Sequence, residues 1–492
     1  MQRLTTKTDK EQRDMPITRR LRVTAPTNPV LVNGLASIRQ TMHLPDAFPP
    51  EVEAAARDAA ANVKLPGLDR TDIPLVTIDP AGSMDLDQAL CIERNGDGWR
   101  VYYAIADVAS FVMPGGAIDL EANRRGETLY GIGHTIPLHP TVLSEGATSL
   151  LPGELRPALL WTIELDASGE GTSAKVERAR VESRQQCDYD SVQAAIDAGT
   201  ADPVWARLRE VGELRRQRAN KLGAISLPLP EQEATQIDGR WTLAYRARHP
   251  VEDWNEQISL LTGMAAADIM VKGKIGILRT LPKPDPDAIA QLRQTAANLK
   301  LAWPPERAYP AFIDTLDPSD PAQVAMLVAC TRVLRGAGYT AFHGTLPAQP
   351  LQSALAAEYT HATAPLRRLV DRYAGEICVA FCAGKPVPEW TLEKLDALPA
   401  TMHTADHAAG QFEHATTDLL EAVVLSSRIG QTFPAIVTHL EDGDTRVGTV
   451  MIHDPAIEIR VHAGHDLPLG HRVDVKLVAA DPARRQTRFE LA

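Results

Sequence analysis

The apolar positions of this chain change period several times, and those changes divide it into elements. Residues 1–48 are polar, contain prolines and keep no sustained period apart from the short run Val30-Leu31-Val32, so they read as an N-terminal extension or arm. Glu51–Lys64 is alanine-rich at helical spacing. The apolar, partly β-branched run Ile73–Ile78 follows, and then Ala89–Glu93 and Trp99–Ile105 flank Asn95-Gly96-Asp97-Gly98, a strong hairpin signal. Leu160–Asp166 with Lys175–Val181 predicts a second hairpin, while Pro286–Leu299, Ala322–Leu334 and Leu366–Cys382 have helical spacing. Gln411–Ser427 reads as a connecting helix. Five short strand-like runs come after it: Phe433–Val437, Gly448–Ile452, Ile457–His462, Arg472–Ala480 and Arg488–Leu491. Five strands in so short a stretch predict a small OB-type barrel. The fold class expected is therefore α+β: an extension over 1–48, a mixed α/β domain over 49–400, a connecting helix over 401–427 and an all-β barrel over 428–492.

Composition narrows the class. A chain of 492 residues holds a large core and two or three folded units. Its 44% hydrophobic and 23% charged content is ordinary for a soluble protein. No apolar run approaches the ~20 residues of a membrane span, and Met1–Lys7 has no apolar signal region, so no membrane association and a cytoplasmic location are expected. The five cysteines are scattered and odd in number; Cys378 and Cys382 stand at helical spacing with no paired histidine, which favours buried thiols over zinc or disulfides. A net charge of −12 argues against a protein that coats nucleic acid. It leaves room for a basic channel inside an acidic shell, with Arg124-Arg125, Arg367-Arg368 and Arg207–Lys221 as the basic elements. The last of these fits the solvated face of a helix better.

Chemistry concentrates in Asp79-Pro80-Ala81-Gly82-Ser83-Met84-Asp85-Leu86-Asp87-Gln88, between two predicted strands. Three carboxylates repel one another unless a cation sits among them, and hard oxygen ligands suit Mg²⁺. Two such ions about 3.5–4 Å apart would stabilise the attacking and leaving oxygens of a phosphoryl displacement. A calcium EF-hand is excluded, because Pro80 and Ala81 stand where ligands are needed. Spacing alone also fits a solvated acidic turn.

The run from Thr77 through Ala89 resembles the signature of the RNB catalytic domain, the exoribonuclease II and R family. That resemblance implies Mg²⁺-dependent hydrolysis of single-stranded RNA from the 3′ end to nucleoside 5′-monophosphates. It implies metal ligation by Asp79, Asp85 and Asp87, which activate a water, with Gln88 completing the site where relatives have a fourth Asp. Gln88 offers a neutral oxygen only, which points to a weaker second ion and to Mn²⁺ as a possible alternative. Tyr359–Asp371 resembles the family's Tyr-Thr-x-x-Thr-Ser-Pro-Ile-Arg-Arg/Lys stretch. Arg367 there matches the phosphate-contacting arginine, and Arg368 beside it is an RNA-binding candidate. Read without the family, this pair is a surface pair at a helix start.

Thr128–Leu138 is similar to the segment whose tyrosine stacks on a base near the 3′ end, which assigns that role to Tyr130. A core tyrosine is the competing reading. Tyr189 matches another family tyrosine near the metal, and Val251–Ile258 resembles the helix carrying a Glu-Glu pair that faces the terminal nucleotide, here Asn255 and Glu256. Leu227 stands where relatives place a Phe that clamps the terminal base. The C-terminal barrel resembles the family's S1 RNA-binding domain, although Phe433 and Phe489 are its only Phe, Tyr or Trp residues. Relatives carry cold-shock-type barrels ahead of the catalytic domain, and the residues before Asp79 are too few for two of them, so that entrance is expected to be missing. The function expected is a 3′→5′ exoribonuclease. A catalytically weak RNB-fold RNA-binding or regulatory protein is the alternative, and a phosphodiesterase for a small nucleotide is a third.

Overall fold

The computed structural model describes residues 19–20 and 28–492, except 46, 133, 230, 238, 239, 332 and 442. Two helices, α1 (Pro29–Thr41) and α2 (Pro50–Asn62), precede a closed five-stranded barrel. Its strands are β1 (Leu75–Asp79), β2 (Gln88–Asn95), β3 (Gly98–Ala106), β4 (Leu155–Leu165) and β5 (Gly171–Asp188). β2 and β3 form the predicted hairpin, from Gln88 opposite Ile105 to Asn95 opposite Gly98, and Gly96 takes the φ of +59° that its tight loop needs. The barrel closes where β1 runs parallel to β5, with Asp79 opposite Asp188.

Both faces of these strands are apolar, and the period of two sorts them. Val101, Tyr103 and Ile105 of β3 and Trp161 and Ile163 of β4 join one cluster with Trp254, Ile258 and Leu261 of α3 (Pro250–Gly273) and Val370 and Tyr373 of α4 (Leu369–Cys382). The intervening Ala104, Ala106, Ala158 and Leu160 join another with Val52 and Ala56 of α2. Helices therefore cover a sheet that is buried on both sides.

α5 (Leu398–Ser426), which contains most of the expected connecting helix, leads into β6 (Thr432–Glu441), β7 (Asp444–Ile452), β8 (Ile457–His462), β9 (Arg472–Asp481) and β10 (Gln486–Leu491). These pair in the order β8-β7-β6-β9-β10, and the edge strands approach to nearly close a barrel. Phe433 and Phe489 meet edge-on at 6.1 Å inside it, both 5% exposed. They fill the core and offer no stacking platform.

Three expectations change. Part of the expected arm is α1: Asn28 accepts from the Val30 N–H at 2.9 Å, and Leu31, Leu35 and Ile38, spaced i, i+4, i+7, pack with Phe412 and Leu419 of α5. Residues 1–18 and 21–27 of that arm lie outside the described residues. The basic segment after Arg207 lies in helix Pro203–Lys221, but Arg215 turns inward, 4% exposed, and donates to the Gly169 carbonyl at 2.9 Å. Cys378 is buried as expected, whereas Cys382, the last residue of α4, is exposed. No helix among the described residues is long and apolar enough to cross a membrane.

Candidate active site

The acidic run leaves the barrel at the end of β1 and re-enters at the start of β2. Gly82, at φ +80°, makes the turn. Its backbone is fastened from two directions: Gln186 of β5 donates to the Ser83 carbonyl at 2.7 Å, and the Ser149 hydroxyl donates to Met84 O at 2.6 Å while accepting from Leu86 N–H at 2.9 Å. Leu86 is fully buried, and in extended chain that sends its neighbours Asp85 and Asp87 to the opposite side.

Asp87 is itself buried at 2% exposure, and both its oxygens are engaged by the segment 280 residues further on. Leu366 N–H donates to Oδ1 and Arg367 Nε to Oδ2, each at 2.8 Å. This explains why α4 starts at Leu369 and not at the expected Leu366. Residues 364–368 instead form a turn on the Ala364 carbonyl, aimed at Asp87. Burial pushes the Asp87 carboxyl up to about 6, against the pull of Arg367 and of the Leu366 N–H. Asp79 is pushed further, to about 8: burial outweighs Arg367, and Asp87 and Asp85 add repulsion.

The Arg367 side chain stays 40% exposed, and its guanidinium also stands beside the Tyr130 hydroxyl. Tyr130 lies 44% exposed on the short hairpin Leu129–Gly131 and His134–Ile136, with its hydroxyl 3.5 Å from Asp85 Oδ2. The hairpin's register to the arginine is fixed by backbone: Thr128 N–H donates to Arg367 O, and Leu369 N–H to Gly126 O, each at 2.9 Å.

Beside this lies a cavity of about 230 Å³, bounded in part by Gln88, Tyr189, Asn255, Glu256, Arg367 and Arg368. Asn255 donates to the Tyr189 hydroxyl at 3.0 Å, and its buried Oδ1 has no partner among the described residues. Glu256 pairs with Arg248 at 2.9 Å, and Arg368 with Asp371 through Nε at 2.8 Å. Gln88 turns both ends of its amide to protein, donating to the Thr363 carbonyl and accepting from the Tyr103 hydroxyl at 3.0 Å. Leu227 packs with an apolar cluster of Leu292, Phe312 and Leu327. A larger cavity of about 460 Å³ between His43, Arg124, Glu127 and Thr401 is lined by none of the expected site residues. Its arginines already donate to Glu121.

The expected residues thus gather from five chain segments, and Arg248, Ser259 and Tyr359 join them at the cavity without having been expected. Among the described residues no three His, Cys, Asp or Glu side chains converge closely enough to hold an ion as they stand. The donor set nonetheless suits a divalent cation. Among the described residues none donates a hydrogen bond to the raised Asp79 carboxyl, and Arg367 is the counter-charge that acts on it.

Ribonuclease R of Escherichia coli (strain K12) is 25% identical over 498 residues, covering 91% of this chain; the chain spans 60% of that relative's length. Mycoplasma genitalium RNase R, solved in complex with ribose methylated single-stranded RNA, superposes with a TM-score of 0.83 at 19% identity, covering 94% of this chain and 78% of that one. Yeast Ssd1, described as a pseudonuclease, has the same fold at a TM-score of 0.69 and 18% identity, covering 92% of this chain and 58% of that one. The RNase II-type exonuclease C-terminal S1 domain matches residues 431–492. With the RNB domain matched over residues 68–382, around the acidic turn and the Arg367 loop, this chain belongs to the RNB family.

Proposed function

We propose that the chain is a 3′→5′ exoribonuclease that hydrolyses single-stranded RNA to nucleoside 5′-monophosphates, with Mg²⁺ or Mn²⁺ held by Asp79, Asp85 and Asp87. The observation that carries this reading is the pair formed by Asp87 and Arg367 at 2.8 Å, which sets a carboxylate turn against an exposed guanidinium beside a cavity. A guanidinium in that place binds phosphate oxygens and offsets the negative charge that grows at phosphorus. Asp87 aims it, holding Nε while the rest of the group stays accessible.

Tyr130, exposed and 3.5 Å from Asp85, offers a π-face to a base next to the scissile phosphate. The Asn255 Oδ1, without a partner among the described residues, accepts from a sugar hydroxyl, while Tyr189, Glu256 and the Asp371-paired Arg368 bound the same cavity. A divalent ion at the three carboxylates supplies Lewis-acid charge at the phosphate and a more acidic attacking water. Without it, Asp79 is protonated below about pH 8, so the site takes up the ion by giving up a proton. On this reading the RNB domain would take in residues 49–400 and the S1 barrel 428–492, in a chain proposed to be cytoplasmic.

The test pairs a 5′-labelled linear RNA with a circular RNA of the same sequence. Stepwise shortening of the linear strand with release of nucleoside 5′-monophosphates, while the circle stays intact, is the expected result. Cleavage of the circle would refute an exonuclease. A second reading, an RNA-binding protein of low turnover, is favoured by the engagement of both ends of the Gln88 amide. Tight binding of the linear strand with no metal-dependent release would select it.

A further inference from the structure

Gln88 stands where the family pattern would complete a metal site, yet its amide is engaged on both sides by protein. Its N–H donates to the Thr363 carbonyl and its Oε1 accepts from the Tyr103 hydroxyl at 3.0 Å. Tyr103 is 1% exposed, and its hydroxyl takes one of the two lone pairs of Oε1, the oxygen that an ion would have to share. Thr363 in turn touches Ser259 of α3, hydroxyl to hydroxyl at 2.8 Å, one helical turn from Asn255. It also directly precedes the Ala364–Arg368 turn that delivers Arg367 to Asp87. One amide therefore joins the acidic turn of Asp87, the loop of Arg367 and, through Thr363, the helix of Asn255.

We infer that Gln88 is a positioning residue, a latch that sets the acidic turn against the Arg367 loop, and that it is not a metal ligand; the inference rests on the nuclease reading above. An aspartate in its place is one methylene shorter and has no N–H, so it would present an oxygen to the Thr363 carbonyl. Restoring the family's fourth carboxylate here therefore breaks the latch.

The test compares the full-length wild type with Gln88→Met, which keeps the length and removes both bonds, and with the nearly isosteric Tyr103→Phe, which removes one. Mn²⁺ binding is read by EPR, kcat and KM on single-stranded RNA, and loop opening by hydrogen exchange over residues 363–368. For Gln88→Met the expected result is Mn²⁺ affinity no more than about 100-fold below wild type, kcat lower by about tenfold or more with KM little changed, and faster exchange in the loop. Tyr103→Phe moves the same quantities in the same directions by less.

Mn²⁺ affinity more than about 100-fold weaker in Gln88→Met, beyond what removing a partner of a ligand costs, would make Gln88 a ligand and overturn the inference. Unchanged kcat and unchanged exchange would overturn it as well. If the wild type releases no nucleotide from any RNA, the nuclease reading fails, and the latch is then decided by exchange alone: faster exchange upholds it and unchanged exchange removes it.

Discussion

Replacing Asp79 by Asn tests the electrostatics of the acidic turn without requiring turnover. The Asp79 carboxyl sits at about 8 in the folded chain against an ordinary 3.8, because burial and its two neighbouring carboxylates oppose its charge. A raised acid stabilises the fold while it is protonated, and that stabilisation is lost as pH rises from the unfolded towards the folded value. Asp87 completes most of its loss by about pH 6, so the window from pH 6 to pH 8 isolates Asp79. Glu127, pushed up to about 7 chiefly by burial, titrates there too but does so in both proteins and cancels in the difference. At ~1.4 kcal/mol per pH unit, the metal-free wild type should lose about 2.5 kcal/mol more than Asp79→Asn between pH 6 and pH 8.

Urea unfolding in EDTA at both pH values measures it, with midpoints converted through the common slope. Adding Mg²⁺ at pH 8 should restore stability to the wild type and not to Asp79→Asn, since an ion that binds only the folded state stabilises by mass action. Equal pH dependence in the two proteins, or an Asn variant less stable than wild type at pH 8 in EDTA, would refute the reasoning.

Arg367→Ala should lower kcat by about 100- to 1,000-fold through loss of charge stabilisation at the phosphate, measured by single-turnover RNA cleavage. It should also lower the melting temperature, since Asp87 keeps only its bond to the Leu366 N–H. Tyr130→Ala should weaken RNA binding by about 1–3 kcal/mol in a fluorescence titration, while Tyr130→Phe, which keeps the ring, should bind nearly as wild type. Gly131→Ala should cost about 1–3 kcal/mol in thermal unfolding and weaken RNA binding too. The added Cβ would lie 2.5 Å from Phe412 Cε1 on α5 and push the Tyr130 hairpin off its seat.

How much of this was legible in the sequence depends on whether the signal is local. β2 and β3 were, because alternating apolar residues and Asn95-Gly96-Asp97-Gly98 specify a hairpin within the segment itself. The C-terminal strands were as well, each as a short apolar run between turn residues. α1 was not, because Leu31, Leu35 and Ile38 make sense only against Phe412 and Leu419, far along the chain. The start of α4 was misplaced for a similar reason: the Leu366 N–H bonds a carboxylate 279 residues away, which no helix propensity encodes. Of the site, the acidic turn announced itself by composition, Arg367 stood out only as one of several basic elements until the family resemblance gave it a role, and Tyr130 came through that resemblance alone. Arg248 carried no signal at all. It follows the strand Arg240–Arg246 and reaches the cavity through its pair with Glu256, a contact that depends on how that hairpin packs.

The acidic turn and the Arg367 loop are proposed to form one metal-assisted phosphate-cutting site, with Asp87 shared between them. The most direct measurement is laddering of 5′-labelled single-stranded RNA in Mg²⁺ by wild type and Asp87→Asn side by side, with RNA binding measured on both. The expected result is stepwise 3′-end shortening by the wild type and at least about 100-fold slower shortening by Asp87→Asn, at RNA affinity close to wild type. Unchanged laddering by Asp87→Asn would contradict the account.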